Sequence, residues 1–127
     1  MNNCTNQTLD KQVVLVLCYR RTIHLRQVIS ALESAFLIDS FTVVFVVQDP
    51  ISSVMKIIEN CHISKKHILK IDGAGYHSSA QAINGNLAVG LQHAFRTLGA
   101  GLVVVLEDDI VISRDALCYF RQVASIY

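Results

Sequence analysis

Three acidic residues follow an apolar run near the carboxyl end of the chain. Residues 102–106 are Leu and Val, and they lead directly into Glu107, Asp108 and Asp109. Adjacent carboxylates repel one another and are costly to remove from water unless a cation neutralises them. Carboxylate oxygens are the ligands that Mg²⁺ and Mn²⁺ prefer, and both ions bind diphosphates. The triplet therefore predicts a metal-dependent phosphate site, with a solvated acidic turn before the next helix as the alternative.

Charged residues also follow three other apolar, β-rich runs. These runs and the residues after them are 13–18 with Arg20 and Arg21, 41–47 with Asp49, and 67–71 with Asp72. In a parallel sheet all strands end at one edge, where open α/β folds bind ligands. At that edge an arginine can contact a phosphate, and a metal can bridge phosphate oxygens. A separate carboxylate can accept a hydrogen bond from the ribose or the base. Jointly the residues predict a nucleotide diphosphate crevice, although Asp49 before Pro50 is by itself typical of a turn.

Apolar residues at helical spacing separate the four predicted strands. The helical segments are 25–36, 54–61, 83–98 and 117–124, with Thr22 and Ser113 as predicted N-caps and Gly99 as a helix stop. This alternation predicts an α/β fold: a mostly parallel sheet of about four strands with helices on both faces. The valine-rich run before the triplet is expected to be buried on both faces. Residues 1–12 are predicted to be a polar tail before a domain at 13–127.

Composition and missing motifs exclude several classes of function. The 127 residues carry a net charge of +1 and no Lys/Arg cluster, which weighs against nucleic acid or an anionic membrane surface as a partner. No apolar run has the length or flanks of a signal peptide or membrane segment. The chain lacks a P-loop, a GxGxxG after its first strand, a Gly-x-Ser-x-Gly elbow and zinc-type Cys/His spacing.

Taken together, the strand-end motifs resemble the donor-binding half of glycosyltransferase family 13. The segments that carry the resemblance are 14–20 (VLVLCYR), 46–49 (VVQD), 90–95 (GLQHAF), 103–109 (VVVLEDD) and 119–120 (YF). That family contains the α-1,3-mannosyl-glycoprotein 2-β-N-acetylglucosaminyltransferases and the protein O-mannose β-1,2-N-acetylglucosaminyltransferases. The resemblance spans residues 13–127 and implies a GT-A-like, that is Rossmann-like, nucleotide-sugar-binding half whose acid triplet is the fold's Asp-x-Asp-like motif.

The resemblance also implies ligands and residue roles. The donor would be UDP-N-acetylglucosamine, the cofactor Mn²⁺, and the acceptor a mannose of a glycoprotein glycan. Asp109 would coordinate the metal, and Asp108 would contact the ribose side of the nucleotide. The other nucleotide-binding candidates are Arg20 and Asp49 in the uridine and phosphate pocket, Glu107 in the triplet, and Asn86, which stands where the family usually has a histidine.

An inverting transfer also needs a general base, and the family's base is an aspartate on a later loop. That residue and the acceptor-binding half would lie beyond Tyr127, so we expect no catalytic base within this chain and no transfer to an acceptor. The family works in the Golgi lumen. Two alternatives stay open: a metal-dependent phosphoryl-transfer domain, which would need a further carboxylate where Arg20 and Arg21 stand, and a non-catalytic or degenerate nucleotide-sugar-binding protein.

Overall fold

The computed structural model describes residues 11–126, in which four strands alternate with four α-helices. The elements are β1 (Lys11–Cys18), α1 (Thr22–Glu33), β2 (Phe41–Gln48), α2 (Ser52–Asn60), β3 (Lys66–Ile71), α3 (Ser79–Gln92), β4 (Ala100–Glu107) and α4 (Ala116–Ile126). A π-helical turn, His93–Thr97, continues α3. Residues 1–10 of the predicted tail lie outside the described part of the chain. The last two residues of that predicted tail, Lys11 and Gln12, belong to β1.

All four strands are parallel, in the order β3-β2-β1-β4. In the register, Leu15 of β1 lies opposite Val44 of β2 on one side and Val105 of β4 on the other. The chain moves outward from β1 to β3 and then returns to the opposite side of β1. This reversal creates a crevice beyond the carboxyl ends of β1 and β4, the usual ligand position in open α/β sheets. The predicted α/β, Rossmann-like class is confirmed.

Helices cover both faces of the sheet, as predicted. Successive strand residues point to opposite faces, so Val14 and Val16 pack on one side of β1 and Val13 and Leu15 on the other. The first face is covered by α1, α2 and α4, with Leu117 fully buried among them. The second is covered by α3 and the π-helical turn. The two cores together hold the carboxyl ends of the strands in fixed positions.

Strand β4 lies at one edge of the sheet, so the expectation that it is buried on both faces is wrong. Val104 and Leu106 are buried, but Val105 is 39% exposed. Valine-rich runs are typical of central parallel strands, but the run by itself does not determine whether the strand pairs with one neighbouring strand or with two. The sheet order decides that, because only β1 pairs with β4 among the described strands.

The apolar face of the third helix is a second difference from the expected pattern. The predicted apolar stripe of the third helix includes Ile83 and Phe95, but these side chains are 48% and 51% exposed. Ile83 lies in the first part of α3, before the π-helical turn, whereas Phe95 lies within that turn, where an extra residue changes the helical repeat. Ala94 is fully buried in place of Phe95. The stripe prediction is therefore wrong at these two positions.

Two glycines have specific roles in this region. A Cβ on Gly90 would lie 2.7 Å from Leu15 Cδ2 and 3.0 Å from Val46 Cγ2, so the glycine lets α3 approach the sheet closely. Gly99 has φ +68°, the left-handed conformation of a helix terminator, which confirms the predicted stop.

The helix starts differ slightly from those predicted. Arg21, not Thr22, occupies the N-cap position of α1, and α4 begins at Ala116, three residues after Ser113. Within residues 11–126, no helix has the length and apolar composition needed to cross a membrane.

Candidate functional site

A cavity of about 550 Å³ opens at the carboxyl edge of the sheet. The ends of β1, β2 and β4, the loop after β3 and the start of α3 surround it. The predicted site residues that line it are Asp49, Asn86, Glu107 and Asp108, and Arg21 and His77 line it as well. Its volume lies within the range of small-molecule pockets. Arg20, Asp72 and Asp109 lie outside the lining. The Asp72 carboxylate instead accepts a hydrogen bond from Ala74 N, at 2.9 Å, within its own turn.

Asp49 follows β2 in an unusual backbone conformation. Its φ of +47° is in the left-handed region, which a non-glycine residue adopts only when the surroundings hold it there. The Asp49 N–H donates to Ile71 O at 2.8 Å, and its Oδ1 accepts from Gly73 N at 2.8 Å. Asp49 therefore ties the end of β2 to the loop after β3, which is the turn-forming role that its sequence context allows.

The same contacts favour the ionised form of the Asp49 carboxylate. The Gly73 N–H lowers the pKa of Asp49 below its usual value, and the Gln48 amide and the Arg20 charge lower it further against the opposing effect of burial. Arg20 itself lies with its guanidinium 5.5 Å from the centroid of the Tyr19 ring. Arg20 thus acts on the crevice through its charge, while Asp49 forms part of the cavity wall.

A chain of side-chain hydrogen bonds continues from Asp49 to α3. Gln48 Nε2 donates to Asp49 Oδ2 at 3.4 Å, and Asn86 Nδ2 donates to Gln48 Oε1 at 2.8 Å. Tyr76 Oη donates to Asn86 Oδ1 at 3.0 Å. Asn86 is only 8% exposed, and both of its polar atoms already have protein partners. Asn86 consequently shapes the wall of the cavity.

Sequence reasoning missed Gln48 and Tyr76. The signal for Gln48 is its position as the polar last residue of an otherwise apolar strand. Tyr76 gave no local signal, because its position depends on a residue in the following helix. A Cβ on Gly85 would lie 2.6 Å from the Tyr76 ring, so that glycine provides the space in which the ring lies.

Asp108, on the other side of the crevice, is buried and has few partners among residues 11–126. It is 5% exposed, and its Oδ2 accepts from Tyr19 N at 3.2 Å. Its Oδ1 lies 4.0 Å from Arg21 Nη1, and the described residues offer it no closer cation. A buried carboxylate with incomplete hydrogen bonding is energetically unfavourable. Asp108 thus has acceptor capacity available for a ligand.

The Asp108 charge affects one neighbouring group. Burial, and secondarily this carboxylate, raise the pKa of the Cys18 thiol far above its usual range. Cys18 is 3% exposed and is a free, protonated core residue.

Asp109 lies beside Asp108 but is largely exposed. Its Oδ2 is 3.4 Å from Arg21 Nη1, and the two side chains are 45% and 55% exposed. Exposed ion pairs of this kind contribute about 0–1 kcal/mol. Of the two arginines that follow β1, Arg21 is therefore the one that contacts the acids, while Arg20 lies against the Tyr19 ring.

The carboxylates fit a metal ion that arrives with a diphosphate. In the part of the chain that the structure describes, no three His, Cys, Asp or Glu side chains cluster to hold a metal by themselves. Mg²⁺-type ions at phosphate sites usually take only one or two carboxylates from the protein and the rest of their ligands from phosphate and water. The exposed Asp109 can supply one such ligand, and Asp108 is left to accept from a hydroxyl group.

Comparison with models of known protein families and with curated proteins found no match for this chain. A function for the crevice therefore has to be argued from its geometry and from the motifs in the sequence. That geometry combines a shaped polar wall, the Asp108 carboxylate and an arginine around one cavity, with the exposed Asp109 carboxylate beside them. Together these groups can bind a polar ligand that carries hydroxyl groups and a metal-bound anion.

Proposed function

We propose that this chain binds UDP-N-acetylglucosamine with Mn²⁺, as the donor-binding part of an inverting β-1,2-N-acetylglucosaminyltransferase that acts on mannose of glycoprotein glycans. The observation that carries the proposal is Asp108, a buried and under-partnered carboxylate at the point where the strand order reverses. Asp109 beside it and the cavity in front of it add a metal ligand and a space for the nucleotide. The motif resemblance to family 13 supplies the identity of the sugar donor.

In this proposal, one acidic residue would contact the ribose and the other would bind the metal at the phosphates. Asp108 would accept hydrogen bonds from ribose hydroxyl groups, which would satisfy the lone pairs that the described residues leave unpaired. Asp109 would hold the metal, whose positive charge would stabilise the departing diphosphate. Arg21 lies within reach of both acids and can contact a phosphate oxygen.

The opposite wall would position the uracil base. Asp49 is kept ionised by the Gly73 N–H and is fixed in place by its backbone contact with Ile71. An ionised carboxylate at this edge can accept from the N–H of a pyrimidine base. Gln48 and Asn86 hold Asp49 from behind, so the wall needs little rearrangement when the ligand binds.

Isothermal titration calorimetry tests this proposal directly. We expect UDP and UDP-N-acetylglucosamine to bind in the presence of Mn²⁺ and to bind far more weakly when EDTA removes it. Free N-acetylglucosamine, which lacks the nucleotide, is the negative control. Tighter binding of ATP than of UDP would favour the phosphoryl-transfer alternative, and no metal-dependent binding of any nucleotide would contradict the proposal.

A further inference from the structure

Arg21 lies where local helix chemistry disfavours an arginine. It occupies the N-cap position of α1 and makes no side-chain capping hydrogen bond, and the first turn of that helix contains no acidic residue. Short polar residues cap helices best, and a cation at this end opposes the helix dipole. A residue that violates a local rule is often placed there for function. The charge of Arg21 is directed across the crevice, toward the end of β4.

The contacts of Arg21 are suited to being exchanged. Its Nη1 lies 3.4 Å from Asp109 Oδ2 and 4.0 Å from Asp108 Oδ1, both longer than the 2.7–2.9 Å of a strong charge-assisted hydrogen bond. Because Arg21 and Asp109 are both about half exposed, the pair can separate at little cost. A divalent cation bound to Asp109 would repel a guanidinium at its present position.

We propose that Arg21 is an internal counter-ion that occupies the cation position at Asp109, and that it moves to the diphosphate when the metal-bound nucleotide enters. The inference rests on the proposed function, since it concerns the same metal and the same diphosphate. It assigns Arg21 two opposite effects. Arg21 competes with the free metal for Asp109, and it adds a cationic contact to the phosphates once the nucleotide is bound.

The inference is tested by the opposite effects that loss of Arg21 should have on Mn²⁺ affinity and on UDP affinity. Free Mn²⁺ is measured by its electron paramagnetic resonance signal in titrations of the full chain and of Arg21→Gln. Without nucleotide, we expect Arg21→Gln to bind Mn²⁺ roughly tenfold more tightly, because one positive charge a few ångströms from the metal is removed. At saturating Mn²⁺, calorimetry should show UDP binding roughly tenfold more weakly to the same variant, since a charge-assisted phosphate contact is lost.

Two variants separate this effect from general changes in charge. Arg26→Gln removes the same charge from an exposed position on α1, and it should leave both affinities within about twofold of the parent chain. Arg21→Lys keeps the charge and should keep the Mn²⁺ affinity near that of the parent. Circular dichroism verifies that each variant is folded.

The outcomes distinguish the inference from the proposed function. If the parent chain binds UDP with Mn²⁺ but Arg21→Gln changes neither affinity more than Arg26→Gln does, the counter-ion role is overturned and the proposed function stands. If neither the parent nor Arg21→Gln binds Mn²⁺ or UDP, both are overturned. A tighter Mn²⁺ complex together with weaker UDP binding in Arg21→Gln supports the inference.

Discussion

The two walls of the crevice differ in how completely the protein satisfies their polar groups. We call them the network wall, formed by Gln48, Asp49, Tyr76 and Asn86, and the acidic wall, formed by Tyr19, Arg21 and Asp108 together with the exposed Asp109 that pairs with Arg21 just outside the lining. On the network wall the hydrogen bonds made by Asn86 and by Asp49 Oδ1 measure 2.8–3.0 Å, and only the bond from Gln48 Nε2 to Asp49 Oδ2 is longer, at 3.4 Å. On the acidic wall the contacts of Asp108 and Asp109 measure 3.2–4.0 Å.

This difference separates shape from binding capacity. A hydrogen-bonded network centred on a buried residue such as Asn86 is rigid and specific, and removing that residue leaves its partners unsatisfied. Charged groups with loose partners have low stabilising value but can form strong contacts when a ligand arrives. The network wall is therefore expected to contribute to stability, and the acidic wall to affinity.

The largest effect is expected from Asp109→Ala on the acidic wall. Loss of the metal ligand should weaken Mn²⁺-dependent UDP binding by roughly 100-fold or more, since even loss of a metal ligand's hydrogen-bonding partner costs 10–100-fold. The free energy of unfolding should change by no more than about 0.5 kcal/mol, because the side chain is exposed. Calorimetry and urea denaturation measure the two quantities. Glu59→Ala, at an exposed position on α2, is the control, and unchanged metal-dependent affinity in Asp109→Ala would remove Asp109 from the site.

On the network wall, Asn86→Ala should lower the free energy of unfolding by about 1–3 kcal/mol, because Gln48 Oε1 and Tyr76 Oη lose their partner inside the protein. Urea denaturation followed by circular dichroism measures the loss. Asn84→Ala removes the same side chain from an exposed position two residues earlier on α3, and it should change stability by less than about 0.5 kcal/mol. Equal effects of the two substitutions would mean that the network contributes nothing.

Asp108→Asn tests whether burial makes Asp108 part of the scaffold. The substitution removes a buried, loosely paired charge, so thermal stability at neutral pH should stay the same or rise by up to about 1 kcal/mol. UDP affinity should fall, but less than in Asp109→Ala, since an amide can still hydrogen-bond a ribose hydroxyl. A stability loss above about 2 kcal/mol would instead place Asp108 with the structural residues.

The smallest effect is a pH dependence that arises at Asp49. Its pKa in the folded protein is lowered, chiefly by the Gly73 N–H, relative to about 3.9 in an unfolded chain. The unfolded state therefore binds its proton first as the pH falls, and the stability that depends on this carboxylate is complete above about pH 5 and declines as the pH drops through the folded-state pKa.

Urea denaturation at a series of pH values from 7 to 3 measures this dependence. Asp49→Asn should flatten the acid side of the stability profile relative to the parent chain. Asp39→Asn, at an exposed position in the turn before β2, should follow the parent. If the profiles of Asp49→Asn and the parent have the same slope, the Gly73 contact does not hold the charge of Asp49.

Much of the site was predictable because a parallel sheet converts strand ends into neighbours. Periodicity alone gave the strand–helix alternation, and the alternation implied the common edge at which Asp49, Glu107 and Asp108 line one cavity. Asp72 was placed at the same edge by the same rule. It lies outside the cavity lining, because its carboxylate accepts from its own turn and β3 is the strand farthest from β4.

The amino-acid sequence by itself determined the order of elements, the parallel arrangement and the chemical character of the strand ends, since each follows from local spacing and composition. Only the tertiary structure decided that β4 is an edge strand, that Ala94 and not Phe95 is buried, and that Arg21 contacts the acids. Arg21 and Asp109 are 88 positions apart, and Gln48 and Asn86 are 38 apart. Sheet register and helix placement bring such pairs together in space, and no local sequence pattern predicts which residues so far apart in the chain will be in contact.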